Sequence, residues 1–147
     1  MVMANRDVHV FENEIDGNQT AAVLLVAYNK DYADVSYNPL PRDIVVRDNK
    51  IGKNGWNPGF PGGDVLAKAM GGSLPPVVWD GVSNFTRKGQ TVPEVVRVRL
   101  TDGPVVNLHF ASPGAIMSAK PEIRPSIDDG AIAEPTPVVL PKPQSVL

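Results

Sequence analysis

Apolar positions along this chain come in short runs that Gly, Pro, Asn and Asp cut apart. Residues 8–12 alternate and predict a first strand. Asp16-Gly17-Asn18 predicts the turn after it. Residues 21–28 form a continuous apolar run, either a buried strand or two turns of helix; so short a run does not separate the two. Residues 32–37 predict a short strand, broken by Asn38-Pro39-Leu40-Pro41. Residues 44–47 predict another strand, turned by Asp48-Asn49-Lys50. Val77-Val78-Trp79, between Pro75-Pro76 and Asp80-Gly81, predicts one more.

The segment 95–110 has the cleanest period of two. Val96, Val98 and Leu100 fall on one face and Arg97 and Arg99 on the other; after Asp102-Gly103, Val106, Leu108 and Phe110 alternate with Asn107 and His109. Two alternating runs around Asp-Gly predict an antiparallel hairpin. Residues 52–63 contain too much Gly and Pro for regular structure. They lead into the one expected helix, 65–70, with Asp64 as its N-cap and Gly71-Gly72 as its left-handed end. Some seven short strands and no evident internal repeat predict a mostly β fold: a sandwich, jelly roll or small barrel of short antiparallel strands with one short helix.

Residues 1–110 carry these patterns and read as a compact β domain. Beyond Phe110 they stop: seven of the chain's 15 prolines fall within residues 111–147. That stretch predicts an extended C-terminal arm, PPII-like in places. It keeps Ile116, Met117, Ile123, Ile127, Ile132, Val138, Val139 and Leu140, apolar residues that a solvated tail is usually short of. The arm is therefore expected to bury them on another polypeptide, with Ile123, Ile127, Val138, Val139 and Leu140 as anchors.

The chain has no Cys, which excludes disulfides, thiolate nucleophiles and Cys-based zinc sites. Its net charge of −2 gives no reason to expect a nucleic-acid surface. Residues 1–7 are polar and no long apolar stretch follows, so neither a signal peptide nor a membrane span is expected. Catalytic motifs are incomplete. The Gly-rich loop ends in Gly63-Asp64 rather than Gly-Lys-Ser, and Gly81-Val82-Ser83-Asn84-Phe85 lacks the second Gly of a nucleophile elbow. Ser83, Asp102 and His109 are read as turn and strand residues rather than a triad. His9 and His109, with Asp7, match no metal-ligand spacing. Arg97 and Arg99, near Arg87 and Lys88, read as a solvated face. No cofactor, no metal and no enzymatic activity are expected. Trp79 reads as core. Trp56 and Phe60, in the Gly/Pro loop, read as contact residues.

Three readings remain: an assembly protein, a small ligand- or carbohydrate-binding module using Trp56 and the glycine loop, and an enzyme without a familiar motif. The Cys-free β domain, the loop 52–63 and the arm 111–147 together resemble small bacteriophage virion proteins of the capsid decoration or cement type. Tail and neck components share these features. The resemblance implies location in a virion. It also implies oligomeric contacts with a major capsid protein or with copies of the chain itself, through loops and arm.

Overall fold

The computed structural model describes residues 1–30, 33–34, 36–86, 89–115, 120–136 and 139. The chain is mostly β, and it winds. A first circuit lays down β1 (Val2–Met3), β2 (Arg6–Phe11) and β3 (Glu14–Ile15). A second lays β4 (Val23–Val26), β5 (Arg42–Arg47) and β6 (Lys50–Ile51) beside them. After helix α1 (Gly63–Ala69), a third circuit brings β7 (Val77–Trp79) and, beyond the small hairpin β8 (Asn84–Phe85)–β9 (Glu94–Val95), β10 (Val98–Leu100). β11 (Val105–Asn107) starts a fourth pass, and β12 (Glu122–Arg124) and β13 (Ile127–Asp128) finish the fold. One sheet has the order β1-β4-β7-β11-β12, the second β13-β10-β5-β2, and β3-β6 form a third, two-stranded side.

Every contact between successive circuits is parallel: β1 with β4, β4 with β7, β7 with β11, β2 with β5, β5 with β10 and β3 with β6. Apart from the hairpin β8–β9, only the last strands reverse, β12 against β11 and β13 against β10. The architecture is a short solenoid of stacked circuits. The expected antiparallel arrangement of the strands is corrected by this pairing; the sheets are mixed and no barrel closes. The expected hairpin over 95–110 is corrected too. Val98–Leu100 and Val105–Asn107 lie in different sheets, each parallel to the strand of the previous circuit. Asp102-Gly103 turns the chain around a corner of the coil, not back onto itself. The alternation itself holds: Val96, Val98 and Leu100 are buried while Arg97 points out.

A repeat underlies the winding. Val10-x-x-Asn13-x-Ile15-x-x-Asn18 recurs as Val46-x-x-Asn49-x-Ile51-x-x-Asn54, 36 positions on, and the backbone register pairs Val10 with Val46 and Ile15 with Ile51. The backbone repeats as well. Asp7 and Asp43 have φ of 56° and 55°, and Glu12 and Asp48 have 55° and 56°. These left-handed residues bend the chain at equivalent places in the two circuits. Asp, at three of these four positions, tolerates that region better than most residues.

Side-chain columns tie the circuits together. The Asn49 Oδ1 accepts from the Asn13 N–H at 3.0 Å, while its Nδ2 donates to the Val10 carbonyl at 2.8 Å. One turn along, Asn54 does the same work: Oδ1 accepts from Asn18 N–H at 3.0 Å and Nδ2 donates to the Ile15 carbonyl at 3.0 Å. Buried Asp43 accepts from Arg6 Nε at 3.1 Å and Arg97 Nε at 2.8 Å, spanning all three circuits.

Two apolar cores result. Leu25, Val77, Trp79 and Val105 from the first sheet meet Ile44, Val46, Val98, Leu100 and Ile127 from the second inside the coil. On the outer face of the first sheet, Val78 and Val106 pack against Leu66 and Ala67 of α1. Burial on both faces explains why Val77-Val78-Trp79 shows no alternation. The helix begins at Gly62, in the left-handed region at φ 78° with no side-chain cap. Asp64, expected as the cap, sits exposed in the first turn instead. Gly71 and Gly72 do take positive φ, as expected at the helix end. No strand forms over the described part of 32–37.

Residues beyond Phe110 join the same fold. β12 and β13 extend both main sheets, Ile127 enters the inner core and Ile132 is buried. Glu134 reaches the outer face of the second sheet, where it accepts from Arg47 at 2.9 Å and pairs with Arg99. Both arginines hold its carboxyl below the ordinary value.

Asp80 gives the solenoid a pH dependence. It is 3% exposed, and its oxygens accept from the Ala27 N–H at 2.6 Å and the Val82 N–H at 3.0 Å. Burial raises its pKa to about 6 despite those two hydrogen bonds. Between the unfolded value of 3.8 and about 6 the folded chain holds a proton that the unfolded chain has lost. Stability from this residue is therefore full below pH 4 and falls as pH rises through 6, by roughly 2–3 kcal/mol. Glu134, with its lowered pKa, acts in the opposite sense at more acidic pH. Urea unfolding of the wild type and Asp80→Asn between pH 4 and 7 isolates the residue: the variant loses this slope. Parallel profiles would refute the assignment.

Candidate functional site

Two features stand apart from the structural framework. The first is an end of the solenoid. β1, β2 and β3 are each the outermost strand of their sheet, and among the described residues no strand lies beyond them. At the opposite end the outermost strands are β6 and the short reversed strands β12 and β13. At the open end Val8, Val10 and Ile15 are only partly buried against the inner core. The first circuit thus presents a free backbone edge and a rim of the core on one side. Exposed carboxylates ring it: Asp7, Glu12, Glu14 and Asp16. Arg6, the one Arg or Lys of this circuit, lies 3.1 Å from Asp43 and 3.6 Å from Asp7.

The second is a cleft of about 480 Å³ between the corner at residues 52–56 and the stretch 71–76 that follows α1. Trp56 lines it and is 39% exposed. Lys53 Nζ stands 5.5 Å from the centre of the indole.

The other residues singled out in the sequence scatter. Phe60 is half-buried against the cluster under α1, whereas Trp79 lies in the inner core. Ile127, expected to anchor on a partner, is 7% exposed within its own chain, because β13 places it over Leu100. Ile123 is 51% exposed, and pairs in register with Val106 on the helix side of the first sheet. Val139 is 89% exposed. Val138 and Leu140, like Ile116, Met117, Arg87 and Lys88, lie outside the described residues.

The residues weighed for catalysis do not converge. Asp102 Oδ2 accepts from the Asn49 N–H at 3.2 Å, His109 Nε2 lies 3.3 Å from Glu122, and Ser83 is exposed in the turn before β8. His9 is on the second sheet with Nδ1 3.7 Å from Glu134, apart from the surroundings of His109. Among the described residues no group of three His, Asp or Glu could hold a metal, and no helix is long and apolar enough to cross a membrane. Arg97 and Arg99 are taken by Asp43 and Glu134.

The edge residues of the first circuit were not singled out from the sequence. The 36-residue repeat is the signal that exposes them: it stacks residues 2–15 on the next circuit, and among the described residues they have that neighbour on one side alone. No protein-family model, curated protein or solved structure matches this chain, so the geometry alone carries a functional reading.

Proposed function

We propose that this chain is an assembly protein that docks on another polypeptide through the open edge of its first circuit. The observation that carries the reading is the asymmetry of the two ends. At one end the outermost strands β12 and β13 are short, three and two residues, and run antiparallel to their neighbours. The other finishes on the six-residue β2, with β1 and β3 beside it and the partly buried Val8, Val10 and Ile15 on one side. Long free edges invite strand addition, and soluble proteins usually blunt them with lysine, proline or a covering segment. Here β2 spans six residues and contains neither Lys nor Pro. Strand addition would satisfy its backbone and cover the rim of the core.

The charge of the edge specifies the partner. Of the four exposed carboxylates Glu14 pairs with Lys50 at 2.8 Å and Asp7 lies 3.6 Å from Arg6; the remaining acidic excess favours an extended segment bearing Lys or Arg and disfavours a head-to-head pair of identical ends. In this reading the partner is a subunit of a larger protein shell, and the chain decorates or cements it. Exposed Ile123 and Val139 are then left for further contacts within the shell.

Carbodiimide cross-linking of the affinity-tagged chain in its native complex tests this directly, because the reagent joins carboxylates to lysines in contact. Expected are links from Asp7, Glu12, Glu14 or Asp16 to lysines of one recurrent polypeptide, and loss of that polypeptide from the complex when Asp7→Lys and Glu12→Lys reverse the charge of the edge. A chain recovered alone, or linked only from other faces, refutes the proposal.

A further inference from the structure

Independently of the docking edge, we propose that the cleft beside Trp56 binds a saccharide, stacking a pyranose ring on the indole. The cleft is preformed. Asn54 locks one wall: its buried side chain donates to the Ile15 carbonyl at 3.0 Å and the Gly52 carbonyl at 3.1 Å. Gly55 joins that wall to the other. Its φ is 83°, its carbonyl accepts from the Leu74 N–H at 3.0 Å, and a Cβ there would sit 2.6 Å from the Leu74 oxygen. Only glycine allows this approach. A site held in place by such contacts binds with little ordering cost. Its volume of about 480 Å³ falls within the range of small-molecule sites, about 300–1,000 Å³.

The lining selects the ligand. Trp56 keeps a large aromatic side chain at 39% exposure, where it offers an apolar surface to a flat partner. Lys53 Nζ lies over that ring, so a pyranose stacking on the same face displaces this long exposed side chain to the rim of the cleft. A quaternary ammonium or methylated lysine would meet like charge, so an aromatic-cage ligand is disfavoured. A neutral or acidic ligand gains from the same ammonium. Gly71 and Gly72 line the far wall without side chains, leaving room for a ring, and the Ser73 hydroxyl can donate and accept. An apolar C–H face on one side and hydroxyls on the others describe a sugar.

The test uses the full chain on an array of neutral and acidic oligosaccharides, followed by fluorescence titration with the glycan retained best. Trp79 is 5% exposed, so a change in emission on titration reports Trp56. Trp56→Ala, with its far-ultraviolet circular dichroism unchanged, is expected to bind at least about tenfold more weakly, the scale of a lost stacking surface. Trp56→Phe should recover part of that loss, and Lys53→Met should weaken an acidic glycan more than a neutral one. No retention of any glycan by the wild type, equal binding by Trp56→Ala, or capture of peptides in preference to glycans would overturn the proposal.

Discussion

A chain ending at Phe110 is expected to lose its stable fold. The sequence reads residues 111–147 as an arm whose removal leaves the domain intact, but the packing indicates otherwise. β12 and β13 pair with β11 and β10, so truncation turns these two inner strands into sheet edges. It uncovers the inner core where Ile127 sits over Leu100, and it removes Ile132 and the Glu134 bridge from the outer face of the second sheet. Fully burying an aliphatic side chain contributes about 1.5–3 kcal/mol. Ile127, Ile132 and the newly exposed Leu100 together put the loss at about 5 kcal/mol or more, comparable with the whole stability of many domains. Urea denaturation followed by circular dichroism decides it. A truncated chain with the midpoint of the full chain would show that the final strands are passengers.

The second large effect is expected at Leu100. It is fully buried, with Val46 on one side in register and Ile127 on the other. Neighbours on both sides belong to hydrogen-bonded strands and cannot collapse into the space, so Leu100→Ala should cost about 3–5 kcal/mol. Arg99, one residue away, faces outward to Glu134. Arg99→Ala should cost no more than about 1 kcal/mol, as expected for an ion pair with a half-exposed carboxylate. Val95, 63% exposed, provides a control with little effect. Comparable losses at Leu100 and Arg99 would contradict the inward and outward assignment of this strand.

The two features proposed for function differ in how they could be found. Trp56 is visible in the sequence because an aromatic residue among glycines has little to bury it. That Gly55 seats against Leu74 and closes a cleft is not visible, since the two are far apart along the chain. The docking edge is visible only through the 36-residue repeat. Over residues 6–18 its two copies share six residues, with non-repeating loops and helix α1 between later circuits, so the period fades after the second.

The local content of the fold was determined by the sequence: strands at Val77–Trp79 and within 42–47, the alternation of Val96, Val98 and Leu100 with arginine, the helix ended by Gly71-Gly72, and core status for Trp79. These follow from side-chain spacing and backbone preference, which act over a few residues. Pairing was decided by the tertiary structure. An alternating strand presents the same edge to a parallel or an antiparallel neighbour, so the run before Asp102-Gly103 suits a hairpin as well as a corner. Stacking on β5 and β7 selected the corner, since it buries Leu100 and Val105 against strands already in place. The same choice brought Ile127 back into its own chain, where an unfinished coil offered it a covered site.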